Sequence, residues 1–170
     1  MCRAAVASVG LSQGIAHVEF AMTGDGPKLF ELGARCGGSC TPQIVRHVTG
    51  FGEFVQACLM ACGEPPHNVV PQERRGGDFR FIVLPPGRIC CARIPEEIRS
   101  DGRILDAAIT VTPGQEVREL RTASERAGFV VAAGNDREDA VRIADFALEH
   151  ITAEYEGGAV KHPYPLSYFG

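Results

Sequence analysis

Apolar positions change rhythm four times along the chain. Ala4, Ala5, Val6, Ala7 and Val9 bunch as on a helix and run up to Gly10, where the backbone can turn. A helix of two turns is marginal without partners because nucleation is costly, so further chain is expected before it. At His17 the pattern switches to alternation. His17 to Thr23 and Lys28 to Arg35 are strand-like runs around Gly24-Asp25-Gly26-Pro27, whose two glycines can supply the positive backbone angles of a hairpin turn. Because strand side chains alternate between faces, Val18, Phe20, Met22, Phe30 and Leu32 are predicted on a core face. Glu19, Glu31 and Arg35 fall on the other, and Lys28 is not with them.

Helical spacing returns after Arg35. Thr41 is placed to cap a helix with Pro42 in its first turn, followed by Gln43, Ile44, Val45 and Val48. From Phe51 to Cys62, the residues Phe54, Val55, Cys58, Leu59 and Cys62 share one helical face. Residues 64–78 are rich in breakers and charge and predict a linker, dividing residues 1–63 from a second unit at 79–155. Strands are expected near Phe79–Leu84, Arg88–Ile94, Ile104–Val111 and Gly128–Ala133. A helix capped by Asp136 follows, its face formed by Ala140, Ile143, Ala144, Ala147, Leu148 and Ile151. Residues 156–170 read as a tail that packs simply or stays loose.

Composition narrows the function classes. With 170 residues and 45% apolar content the chain can bury one ordinary core or two small ones. A formal charge of -4 gives no basic face for nucleic acid. No apolar run approaches a membrane span, and Met1 to Ala7 lacks the apolar stretch of a signal peptide, so a cytoplasmic protein is expected. The seven cysteines lack the spacing of zinc knuckles and suit reduced, mostly buried thiols. His17, His47, His67, His150 and His162 show no ligand spacing.

Candidate chemistry gathers on the hairpin. Glu19 and Glu31 are equidistant from Asp25 and so face each other across the ladder. Opposed like charges destabilise a sheet unless a proton, a base or a cation compensates. Magnesium commonly uses one or two carboxylates together with substrate phosphates; two solvated carboxylates on an exposed face are the plain alternative. Arg35 adds a donor fork for carboxylate or phosphate. Gly37 and Gly38 then precede a helix start, where close backbone approach and free amides suit an anion.

With these residues in place, the segment HVEF and, twelve residues from its glutamate, FELGARCGGS resemble the ATP-grasp pattern of a glutamate followed by Glu-x-Asn-x-Arg. Val9-Gly10-Leu11-Ser12-Gln13-Gly14 matches the approach to that strand, while Gly33 stands where many members carry a metal-binding asparagine. PPGRI and GFVVAAGNDREDAV resemble the carboxyl-terminal domain of L-amino-acid ligases and their relatives, carnosine synthase and biotin carboxylase among them. The resemblance covers about residues 4–155. It implies an α+β chain: the distal half of an ATP-grasp domain, an antiparallel hairpin plus helices, followed by a small mixed α/β carboxyl-terminal domain.

The resemblance also implies Glu19 and Glu31 as ligands of Mg2+, or Mn2+, bridging the phosphates of ATP. It assigns Arg35 to the acyl-phosphate or tetrahedral intermediate and the Gly37–Gly38 loop to the acceptor site. The implied activity is ADP-forming ligation of a carboxylate, an amino acid, to an amine. Such ligases hold ATP between two subdomains, the first bearing phosphate-binding lysines, and no such region is evident. The chain is therefore expected to be inactive alone. A non-catalytic binding or assembly module, or one chain of a split ligase completed by an amino-terminal half, are the alternatives. Homo-oligomerisation is left open.

Overall fold

The structure is a computed structural model and describes residues 1–67 and 75–165. Helix α1 (Cys2–Ser8) opens the chain and closes at Gly10. There φ is +74°, a left-handed angle at which glycine carries no side-chain penalty. Strands β1 (His17–Thr23) and β2 (Gly26–Gly33) form an antiparallel hairpin. Helices α2 (Thr41–Thr49) and α3 (Glu53–Ala61) follow. After residues 68–74, the middle of the expected linker, which lie outside the described residues, come β3 (Gly76–Ile82), β4 (Gly87–Arg93), α4 (Glu96–Arg99), β5 (Ile104–Ile109) and β6 (Glu116–Val117). A 3-10 turn at Ala123–Glu125 leads to β7 (Gly128–Gly134), α5 (Arg137–His150), β8 (Thr152–Tyr155) and β9 (Val160–Lys161). Strand β3 thus begins inside the stretch read as linker, and β9 lies inside the stretch read as tail. Tyr168 and Phe169 lie outside the described residues.

The chain divides into two units, Met1–Gln72 and Glu73–Gly170. The second has a closed core. Its first sheet runs β3-β7-β5, its second β6-β4-β8-β9, and all pairs are antiparallel. Helix α5 begins where Asp136 accepts a hydrogen bond from the Asp139 amide at 2.8 Å. It buries Ala140, Ile143, Ala144, Ala147 and Leu148, the face its sequence spacing predicts. Ile82, Leu84, Ile89, Ile98, Val130 and Ile151 are almost wholly removed from water, each worth about 1.5–3 kcal/mol of transfer free energy.

The first unit is different. Its described buried residues are Cys40, Pro42, Glu53 and Gln56. Phe20, Met22 and Phe30, placed by sequence on a core face, are exposed, Met22 and Phe30 at 73%. The face of α3 carrying Phe54, Val55, Cys58 and Cys62 is also turned outward, while its polar Glu53 and Gln56 are buried. The periodicity located the apolar stripe; among the described residues of this unit no layer covers it. This also overturns the expectation of buried thiols. All seven cysteines are free, only Cys40 is buried, and Cys58, Cys62 and Cys90 are exposed. Cys90 is pushed outward as the extra residue of a bulge between the pairs Ile89–Tyr155 and Cys91–Glu154. Among the described residues no helix is long and apolar enough to cross a membrane.

Candidate functional site

The hairpin brings Glu19 and Glu31 together as direct cross-strand partners. The turn is tighter than the sequence suggests. Thr23 pairs with Gly26, leaving Gly24 and Asp25 as a two-residue loop. The Thr23 hydroxyl donates to the Gly26 carbonyl at 2.7 Å and accepts from the Asp25 amide at 3.3 Å. Of the two glycines expected to supply positive angles, only Gly26 does, at +96°. From this turn Phe20 pairs with Leu29 and Ala21 with Lys28; Phe30 is then bulged out, and pairing resumes at Glu19–Glu31 and Val18–Leu32. Cross-strand partners share a face, so Leu29 takes the place predicted for Phe30. Lys28, opposite Ala21, joins the carboxylate face, correcting the alternation drawn from sequence.

Each carboxylate already has a side-chain partner beside it. His17 Nε2 lies 2.9 Å from Glu19 Oε1, two residues along the same strand face. The Arg35 guanidinium donates to Glu31 Oε1 at 2.9 Å and to the Cys36 carbonyl at 3.1 Å. A Cβ at Gly33 would come within 3.2 Å of the Arg35 side chain, so glycine there leaves room for the arginine to fold back over the strand. Glu19 and Glu31 are about half exposed. Among the described residues no group of three or more His, Cys, Asp or Glu is gathered to hold a metal ion. The hairpin offers two carboxylates, and a divalent cation there would complete its shell with phosphate and water oxygens.

The glycine loop is fixed from below. Gly37 donates its amide to Glu53 Oε2 at 2.7 Å, and a Cβ at Gly37 would fall 2.8 Å from Thr41 Cγ2. The amide expected to be free for an anion is thus taken by the protein's own carboxylate. Thr41 is not the cap of α2 but its first residue. Cys40 occupies the cap position, the Thr41 amide donates to the Gly38 carbonyl at 3.1 Å, and Pro42 is buried in the first turn. Ser39 takes a left-handed φ of +51° to bring the chain into the helix. Burial, followed by the nearby Glu53 and Cys58, pushes the Cys36 thiol up, which keeps it protonated and unreactive at neutral pH. Glu53 and His17 are the residues sequence reasoning missed. His17 was legible as the strand neighbour two positions from Glu19; Glu53, at the head of α3, carried no local sign of burial.

The comparisons with known proteins follow this geometry. Residues 80–156 match the family model for L-amino acid ligase C-terminal domain 2. Dapdiamide A synthase from Enterobacter agglomerans is 27% identical over 137 residues, covering 74% of this chain and 31% of that protein. Among solved structures, phosphoribosylglycinamide synthetase from Anaerococcus prevotii superposes with a TM-score of 0.82 at 17% identity, over 91% of this chain and 40% of that one. L-amino acid ligase from Bacillus licheniformis gives 0.75 at 22% identity, over 89% and 38%. The chain has the fold of the carboxyl-terminal portion of an ATP-grasp ligase. Within that fold, residues 80–156 are similar in sequence to the L-amino acid ligase C-terminal domain 2. The chain spans about a third of the length of the curated relative it matches.

Proposed function

We propose that this chain supplies the magnesium-binding strand pair and the intermediate-binding arginine of an ADP-forming ligase that joins an amino-acid carboxylate to an amine through an acyl phosphate. The observation that carries this reading is the direct pairing of Glu19 with Glu31, with Arg35 on the second carboxylate at 2.9 Å. Glu19 and Glu31 would hold the cation. When bound, magnesium supplies charge neutralisation for phosphate oxygens.

The chain's own groups have distinct tasks. Glu31 holds the Arg35 fork in place, so that the guanidinium presents its remaining donors to an oxyanion. Glu53 anchors the Gly37 loop through its amide, keeping the turn beside Arg35 fixed. His17 holds Glu19 from the side, so a cation bound by Glu19 shares that carboxylate with the imidazole. The dapdiamide and L-amino acid ligase relatives favour an amino-acid substrate. Positioning catalysis needs the opposing phosphate-binding wall as well, so the chain by itself turns over little or nothing.

A second reading is favoured by one observation: both carboxylates already have side-chain partners, Glu19 in His17 and Glu31 in Arg35. On that reading the hairpin is a structural ion-pair cluster in a non-catalytic module. Manganese titration followed by electron paramagnetic resonance, with and without ATP, separates the two. Binding by the native chain that is abolished in Glu31→Gln supports the metal site. Identical titrations for the two proteins would leave only the ion-paired module.

A further inference from the structure

The second unit holds a cavity of about 230 Å³ at the edge of β3, away from the hairpin carboxylates in sequence and in unit. Its floor is aromatic. Phe79 and Phe81 project from the same face of β3, with ring centroids 5.2 Å apart in an edge-to-face arrangement. Leu148 of α5, Val83 and Leu120 close the apolar walls. Two guanidinium groups reach the cavity, and their circumstances differ. Arg80 is neutralised twice, by Asp78 and by Asp145, whose Oδ1 lies 3.3 Å from Arg80 Nε. Arg126 sits over the Phe81 ring, its Cζ 3.6 Å from the centroid. Among the described residues its side chain has no ion-pair partner.

A guanidinium stacked on a ring keeps its in-plane N–H groups available, and their fork matches a carboxylate with two parallel hydrogen bonds. The aromatic face fixes the plane in advance, so little freedom is lost when an anion docks. The cavity is smaller than the roughly 300 Å³ at which sites for drug-sized ligands begin, which limits it to a fragment about as large as one amino-acid side chain with its carboxyl group. No acidic side chain is among its described lining residues. The Tyr164 hydroxyl is the one neutral polar side-chain group of that lining, so an α-ammonium group would enter with no carboxylate to pair with, at a desolvation cost the anion does not meet beside Arg126.

We propose that this cavity is a binding site for a small monocarboxylate with an aromatic or branched apolar tail, its carboxylate on Arg126 and its tail between Phe81 and Leu148. The chemistry selects a simple anion over a zwitterion, which sets it apart from the amino-acid substrate proposed for the hairpin site, and it does not depend on that proposal.

Ligand-observed NMR and calorimetric titration of the full chain with 3-phenylpropanoate, 3-phenylpropanamide and L-phenylalanine test this. The acid is expected to bind about tenfold or more tightly than the amide. It is also expected to exceed phenylalanine and to weaken with added salt. Arg126→Gln is expected to abolish the preference for acid over amide, and Arg126→Lys to retain part of it. Because Arg126 also covers Phe81, each variant is checked for an unchanged thermal transition. Leu120→Trp fills the cavity while keeping the arginine in the chain and is expected to remove binding of both probes. Equal binding of acid and amide, acid binding unaffected by Arg126→Gln or by Leu120→Trp, or no saturable binding of the acid would each overturn the site.

Discussion

Tyr155 shows how much one side chain organises in the second unit. Its hydroxyl donates to the Pro85 carbonyl at 2.6 Å, and the Lys161 ammonium sits 4.6 Å from its ring centroid. A Cβ on Gly87 would come within 2.7 Å of the ring, at a φ of +142° that side chains rarely adopt. The Pro85-Pro86-Gly87 turn is thus moulded around the phenol. Burial, with a smaller contribution from the neighbouring Tyr164, holds the phenol in its protonated form, its pKa pushed up to about 12. An unfolded tyrosine ionises near 10. The raised folded value makes stability fall as pH climbs from about 10 to about 12, because the unfolded chain sheds the proton first. Tyr155→Phe should lose this part of the alkaline decline in a urea-midpoint series. At neutral pH it should be destabilised by about 1–3 kcal/mol, since the Pro85 carbonyl loses its donor.

Among the elements, β3, β7 and α5 are locked by glycine. A Cβ on Gly76 would fall 1.7 Å from the Asp136 carbonyl oxygen, and one on Gly134 2.3 Å from the Ala140 amide nitrogen. Both obstacles are backbone and cannot swing aside. Gly134→Ala is therefore expected to cost at least the roughly 1–3 kcal/mol of an overpacked core, read as a lowered thermal midpoint with the helix start of α5 displaced. In the sequence Gly76 fell within the expected linker and Gly134 just past an expected strand, so neither showed this packing. What the sequence did convey was periodicity: the α5 face and four strands of the second unit lie where the spacing put them. The short strands β6, β8 and β9 were not legible, because two to four residues carry too little alternation to stand above turns. The Glu19–Glu31 pair was found although the turn was centred on Asp25 rather than between Gly24 and Asp25, and the bulge at Phe30 restored the alignment. Glu53 stayed hidden because the burial of an acid at the head of α3 depends on a loop sixteen residues earlier.

At the scale of the whole molecule, the two units differ in what sustains them. The clusters of buried apolar side chains lie in the second unit, whereas the first leaves Phe20, Met22, Phe30, Phe54 and Val55 in water. A unit that buries so little cannot offset the conformational entropy of ordering its chain. Residues 73–170 alone are expected to melt in one cooperative calorimetric transition. Residues 1–72 alone are expected to show none and to bind a hydrophobic dye. Two separate cooperative transitions would show that the hairpin and its helices are self-sufficient.

The extra residue at Phe30 has a bearing on how such hairpins are compared. A two-residue loop and a regular ladder would bring Glu19 opposite position 30, and one added residue in β2 carries the partner to position 31. A three-residue loop with no bulge yields the same twelve-residue interval. Carboxylate spacing can therefore persist while the loop and the bulge are traded against each other, and a gap-free alignment across this segment would superpose residues that point in opposite directions.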